Sequence, residues 1–374
     1  MMRDAWRIGH LFGIPLRIHV SWLIVFGLVS WSLAAGYFPA QLPDLPVWSY
    51  WAKAIIAALM FFVSVILHEL GHSLVARWRG VGIASITLFV FGGVSEMRDE
   101  PRTPRHEFEI AVIGPLISLA LAGVFGSIGL IARGDGPPTG MTVVVLYLAS
   151  VNVLVGIFNL LPAFPLDGGR VLRAALWYFK GDLLTATRNA ARVSSFLALG
   201  LIGLGLLQLF AGGFGGLWLA LIGWFIRQAG ASAAAQASLR QVLAGLRVRD
   251  VMTSDPKTVN AQEHVTELID DYFARYTYGG YPVERDGEAV GIVTLHDLRK
   301  IQPGDRSRTA VEHIMSPLTP DLVVTPDIPV YEALTRMLSR NLGRLLVLER
   351  GRPAGLVTSR GILHLAQVKT AFGS

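Results

Sequence analysis

His68-Glu69-Leu70-Gly71-His72 puts two imidazoles four residues apart, with a carboxylate beside the first. On a helix, residues four apart share a face, so both rings can offer a nitrogen to one metal ion while Glu69 stands at the rim. Catalytic zinc takes three protein ligands and keeps one position for water, whose proton a nearby carboxylate can accept. The pattern predicts hydrolytic zinc chemistry and demands a third ligand elsewhere. On a soluble helix the same residues would usually be a solvated face. Here they interrupt an apolar run: residues 54–67 are uncharged, and the run resumes to Ala76 before Arg77 closes it. Ionisable groups inside a membrane helix are costly and usually functional.

The elements that carry this motif follow from hydropathy. The chain has 374 residues, 52% of them hydrophobic, and its apolar residues thin out near residue 235, so a membrane domain (1–235) precedes a charged, soluble remainder. Uncharged or nearly uncharged runs at 18–42, 54–76, 110–132, 141–161, 193–211 and 214–234 read as six spans, the last two split by Gly212, Gly213, Gly215 and Gly216. Arg227 can snorkel from the sixth to the interface. No small-residue cleavage site follows Arg3 and Arg7, so the first span is expected to stay as an anchor. Basic residues gather before span one, after span two and after span four, which predicts cytosolic termini. His68 and His72 then lie roughly 7–14 Å below the interface that Arg77 marks. The absence of cysteine excludes disulfides and thiolate ligands. The net charge of +6 is concentrated in particular loops and does not point to nucleic acid.

Spans two and four run in the same direction, so the stretch after span four, Pro162-Ala163-Phe164-Pro165-Leu166-Asp167-Gly168-Gly169, ends at the depth of the histidines. Its prolines predict irregular backbone there. Asp167 is the expected third ligand, because a carboxylate can complete a two-histidine site; the competing reading is a loop or helix-capping aspartate. Glu96, Asp99 and Glu107 stand among arginines in a loop and are expected to be solvated.

These paired motifs, HELGH in the second span and N-x-x-P-x-x-P-L-D-G-G after the fourth, resemble the site-2 protease family of intramembrane zinc metalloproteases. The resemblance covers residues 1 to about 230. It implies one zinc per chain held by His68, His72 and Asp167, Glu69 as general acid/base, and Asn152 and Asn159 near the reacting atoms. It also implies a membrane-spanning protein substrate, cut within the bilayer in the manner of regulated intramembrane proteolysis of a membrane-anchored regulator. For the asparagines, interhelical hydrogen bonding is the alternative.

A substrate helix must unwind before its amides can be attacked, and residues 83–97 are rich in β-formers with a Gly-Gly turn. They predict a membrane-associated β-hairpin whose edge, near Phe91, Gly92 and Gly93, either pairs with substrate or merely plugs the bundle. An alanine-rich helical linker (236–245) follows the spans. Beyond it the chain repeats itself with an offset of about sixty-four residues: Val251-Met252-Thr253 returns as Ile314-Met315-Ser316, and Gly291-Ile292-Val293-Thr294 as Gly355-Leu356-Val357-Thr358. This resembles a tandem of cystathionine β-synthase-type (CBS) domains, at 246–303 and 307–368. The resemblance implies an α/β pair that binds an adenine nucleotide (ATP, ADP or AMP) through Thr294, Asp297 and Thr358, or one that serves only as a dimerising module. Gly361 stands where the second copy would carry the aspartate, which leaves that half-site in doubt.

The fold class expected is thus a polytopic α-helical membrane protein with a cytosolic CBS pair, located in a plasma membrane. The runner-up function is a CBS-gated ion transporter using the His/Glu/His/Asp set as an ion pathway. Glu69 beside a metal ligand argues for hydrolysis, since a transport site needs no such proton acceptor.

Overall fold

The computed structural model describes residues 5–90, 92–97, 99–133, 139–276 and 278–372, and divides into two compact units that meet at Ala237/Ser238. The first unit opens with a strand pair, β1 (Ala5–Leu11) and β2 (Ile14–His19), joined at Phe12 and Gly13. Both turn residues have positive φ (51° and 77°), the requirement of a two-residue hairpin whose twist matches its strands. The sequence reading had treated this stretch as a basic flank of the first span. Its alternation, with Trp6 and Ile8 exposed on either side of Arg7, is short enough to be overlooked beside the apolar run that follows.

Helix α1 (Ser21–Ser32) passes through a π-helical turn (Leu33–Tyr37) into α2 (Phe38–Gln41). Helix α3 (Val47–Trp78) carries the HELGH motif in its last third. It stops because Gly80 adopts φ +78°, where its N–H reaches the Arg77 carbonyl and Val81 N–H reaches Ala76. Two antiparallel strands follow, β3 (Ile83–Phe89) and β4 (Gly92–Met97). They do not stand alone: β2 pairs with β3 in parallel, giving a four-stranded sheet in the order β1-β2-β3-β4. Ile14, Leu16 and Ile86 on the sheet pack with Leu70 and Ile66 of α3, so the sheet is fastened to the turns that carry the histidines.

Helices α4 (Pro104–Arg133), α5 (Gly140–Asn159), α6 (Asp167–Lys180), α7 (Leu183–Phe210) and α8 (Gly215–Val242) complete this unit. Thr139 caps α5 through the Thr142 N–H, Gly181 in the left-handed region ends α6, and Asp182 caps α7 through the Thr185 N–H. Among the described residues five helical stretches are long and apolar enough to cross a membrane: Ser21–Gln41, α3, α4, α5 and α7. Helix α8, expected as the sixth span, is not among them, since Arg227 and Gln228 interrupt its apolar window. Helix α6 was not expected at all. The two prolines end at its threshold, and its amphipathic residues begin with Asp167 itself.

The second unit contains two four-stranded sheets. One orders Val259–Asn260 (β6), Gly280–Arg285 (β7), Glu288–Thr294 (β8) and Ser316–Pro317 (β9); the other orders Val323–Val324 (β10), Arg344–Glu349 (β11), Arg352–Thr358 (β12) and Thr253–Ser254 (β5). Each copy of the repeat therefore lends its M-[TS] strand to the other copy's sheet. The glycine of G-[IL]-V-T makes the exchange close: a Cβ on Gly291 would lie 2.7 Å from Met315 Sδ, and one on Gly355 would collide with Met252 Sδ.

Candidate metal centre

His68 and His72 lie one turn apart on α3, both buried, with ring centroids 4.9 Å apart. Their Nε2 atoms face the same oxygen, Asp167 Oδ2, at 3.1 and 3.2 Å. The three side chains form the group among the described residues whose ligand atoms lie within 4.8 Å of one another. Asp167 reaches this point not from irregular backbone, as its neighbouring prolines suggested, but as the first residue of α6. Gly168 and Gly169 make the approach possible. A Cβ on Gly168 would collide with the Leu160 and Leu161 carbonyls, and one on Gly169 would lie 2.6 Å from the Ala163 carbonyl carbon.

The opposite ring nitrogens are held by α4. His72 Nδ1 donates to the Ile110 carbonyl oxygen at 2.5 Å, and His68 Nδ1 is paired with Ser118 Oγ at 2.9 Å. Pro115 has no N–H to give Ala111, so the helical ladder is interrupted one bond from the Ile110 carbonyl. A neutral imidazole that donates from Nδ1 presents a lone pair at Nε2. That lone pair faces a carboxylate, an arrangement that is repulsive until a cation stands between the groups. Gly114 keeps the space for one: a Cβ there would lie 2.5 Å from His68 Nε2 and collide with His72 Nε2. Two nitrogens, each on a ring backed by a fixed partner, and one carboxylate oxygen suit zinc with an open coordination position.

Glu69 lies half-buried beside the His/His/Asp cluster and against β4, where a Cβ on Gly93 would come within 2.5 Å of its Cγ. One turn on, Ser73 pairs with Ser95 of β4 at 2.8 Å. Gly92 has φ +120°, a conformation that requires glycine. Phe91 lies outside the described residues. Asn152 is buried, and its amide donates to the Leu148 carbonyl at 2.8 Å and to Ser64 of α3 at 3.3 Å. Asn159 donates to the Val155 carbonyl at 3.0 Å. These bonds tie α5 to α3 and to itself, and none of them joins an asparagine to His68, His72 or Asp167.

Glu107 corrects the sequence reading most sharply. Expected in a solvated loop, it is a fully buried residue of α4. Its Oε1 accepts from Arg173 Nε at 2.6 Å, a partner 66 residues away that no local pattern announces. Glu96 accepts from Ser85 at 3.0 Å, and Asp99 is exposed as expected.

In the second unit a cleft of about 840 Å³ is lined by Thr294 and Thr358, together with Tyr278, Gly280, Arg344 and Arg360. Asp297 is buried and engaged: Thr294 donates to its Oδ2 through Oγ1 at 2.7 Å and through N at 3.0 Å, and Lys300 reaches its Oδ1 at 2.8 Å. Burial works against the Asp297 charge, but Lys300 and the two Thr294 donors outweigh it and hold the carboxyl below the usual range. In the second copy Thr358 Oγ1 accepts from Gly361 N–H at 3.1 Å, closing the turn that Asp297 closes in the first.

Comparison with known proteins gives the family of this chain. The model of peptidase family M50 matches residues 56–134 and 124–202, and the CBS domain model matches 248–304 and 311–367. The chain is 40% identical over 370 residues to "Putative zinc metalloprotease Rip3" of Mycobacterium tuberculosis, covering 98% of this chain and 94% of that one. It is 29% identical to "Zinc metalloprotease MJ0392" of Methanocaldococcus jannaschii, covering 98% and 97%. Among solved structures, a site-2 protease from Methanocaldococcus jannaschii matches with a TM-score of 0.43 and 32% identity, over 62% of this chain and 95% of that one. A buried His/His/Asp cluster on these two helices, within a chain matched end to end by zinc metalloproteases, makes this protein a member of peptidase family M50, the site-2 protease family, with tandem CBS domains.

Proposed function

We propose that the protein is an intramembrane zinc metallopeptidase that hydrolyses a peptide bond in the membrane-spanning segment of a substrate protein. The observation that carries this reading is the convergence of His68, His72 and Asp167 beneath Gly114, with Glu69 alongside. Zinc bound there supplies Lewis acidity, polarising a peptide carbonyl and acidifying a water. His68 and His72 hold their nitrogens toward it because Ser118 and Ile110 fix the rings from behind. Glu69 accepts the water's proton and returns it to the leaving nitrogen as the C–N bond breaks. Strand β4 is the sheet edge beside Glu69, which supports its pairing with an unwound substrate segment near Gly92 and Gly93.

The wider reading is a six-span arrangement with α8 as the last span and both termini in the cytosol, in a plasma membrane. The substrate class is a membrane-anchored regulator. The CBS pair, spanning 246–303 and 307–368, takes an adenine nucleotide in the cleft that Thr294 and Thr358 line, forms a homodimer contact and modulates cleavage. The test is zinc content together with cleavage of a model membrane-spanning substrate in detergent. Glu69→Gln keeps zinc and loses about 10²–10⁴-fold in kcat, while Asp167→Ala binds zinc more weakly. Cleavage that survives Glu69→Gln refutes the reading and favours an ion pathway.

A further inference from the structure

Glu107, Ile110, Gly114 and Ser118 fall at i, i+3, i+7 and i+11 on α4, one stripe of an α-helix. Three of them serve the metal ligands directly. The Ile110 carbonyl fixes His72, Ser118 fixes His68, and Gly114 leaves the space between. Glu107 heads the same stripe yet touches no ligand. Its carboxylate is fully buried, Oε1 is taken by Arg173 Nε and Nη2, and Arg170 Nε approaches the same oxygen to 4.0 Å. Oε2 has no hydrogen-bond partner among the described residues. Both arginines belong to α6, the helix that Asp167 opens.

A buried ion pair is a poor source of net stability, because desolvation consumes most of the attraction. Its effect here is geometric. The start of α6 lies close against the backbone of Leu160, Leu161 and Ala163, where neither Gly168 nor Gly169 has room for a Cβ. The apolar contacts of Leu172 and Leu176 with Phe164, Ala190 and Ala191 hold the helix down but are not directional, so they set its rotation only loosely. A side-chain tip about 5–6 Å from the axis moves roughly 1 Å for each ~10° of rotation, against a tolerance of ~0.2 Å in a zinc bond. An anchor roughly 9 Å along the helix, as Arg173 is from Asp167, removes that freedom.

We infer that the buried Glu107–Arg173 pair is a positioning device that sets the rotation of α6 and so aims Asp167 at His68 and His72. The inference rests on Asp167 being the third ligand. The test is zinc affinity of the full-length protein in detergent, by chelator competition, in a double-variant cycle. Glu107→Gln weakens zinc about 10- to 100-fold, the usual effect of a residue behind the ligands. In an Asp167→Ala background the same substitution changes affinity by less than about twofold, because the side chain it aims is gone. A merely structural role would weaken zinc in both backgrounds. Glu107→Gln leaves Arg173 buried without its countercharge; if that variant does not fold, Glu107→Gln/Arg173→Gln removes both charges and shows the same loss. Affinity unchanged in that double variant, or reduced equally in the Asp167→Ala background, overturns the inference. Asp167→Ala binding zinc normally refutes the ligand assignment and the inference together, whereas zinc weakened in Asp167→Ala but unchanged without Glu107 refutes the inference alone.

Discussion

Gly114→Ala is the smallest change that should empty the metal centre. The added methyl carbon would stand 2.5 Å from His68 Nε2 and 2.6 Å from His72 Cε1, and closer still to His72 Nε2. Zinc bound to imidazole sits ~2.0–2.1 Å from nitrogen, so the methyl and the ion claim the same volume. The rings cannot easily yield, because Ser118 and the Ile110 carbonyl hold their far nitrogens. Moving each Nε2 out to van der Waals distance takes on the order of 1 Å, several times the ~0.2 Å a zinc site tolerates. Zinc affinity is therefore expected to fall at least about 100-fold, with overpacking costing ~1–3 kcal/mol of stability besides. Gly123→Ala, on the same helix with no atom within 4 Å of the new methyl, is the control. It should bind zinc normally and gain up to about 1 kcal/mol from helix propensity. Chelator competition on both purified variants measures the difference. Zinc bound by Gly114→Ala within twofold of wild type would refute the placement of the ion.

Gly93→Ala should separate catalysis from metal binding, because its methyl meets Glu69 and not a ligand: zinc content stays at wild-type level while kcat falls at least about tenfold. Ser118→Ala removes the partner of His68 Nδ1 and is expected to weaken zinc about 10- to 100-fold without changing the protein's secondary structure by circular dichroism. Asp297 supplies a pH prediction for the CBS unit. Its carboxyl is held below the unfolded value, so its contribution to stability is present above pH ~4 and disappears as the pH falls through the lower folded value. Thermal melts of the full chain between neutral and acid pH should show that loss, and Asp297→Asn should make the dependence shallower; an identical pH dependence in the variant would contradict the assignment.

The centre was legible because its chemistry is written in fixed spacings. HELGH marks a turn of α3, and two glycines after Asp167 mark a place where backbone must come close. The scaffold behind it was less legible for reasons that differ by residue. Phe12-Gly13 is a two-residue turn and could have announced the first strand pair, but the hydropathy of the following helix dominates any window that contains it. Helix α6 was hidden by its prolines, which stand just outside it. Glu107 reads from sequence as a solvated loop residue, since its partner Arg173 is joined to it only by the packing of α4 on α6. Apolar periodicity says which face is buried and is silent on which charges will meet there.

The exchanged strands of the CBS pair bear on how the protein is made. Neither sheet can close until a piece of the other copy is available: the sheet of the first waits for Ser316–Pro317, more than twenty residues after its own last long strand, β8. The second needs Thr253–Ser254, which leaves the ribosome long before it. At a synthesis rate of ~5–20 residues per second, β5 waits roughly a hundred residues for its partner β12, on the order of 5–20 s, and the edge of β8 waits about twenty for β9, on the order of 1–4 s. Through those intervals β5 and the edge of β8 are unpaired strands of the kind that invites pairing with another chain. The newborn pair is accordingly most vulnerable to misassembly before its second copy is complete, and a chain truncated between the copies is expected to aggregate rather than fold as half a domain.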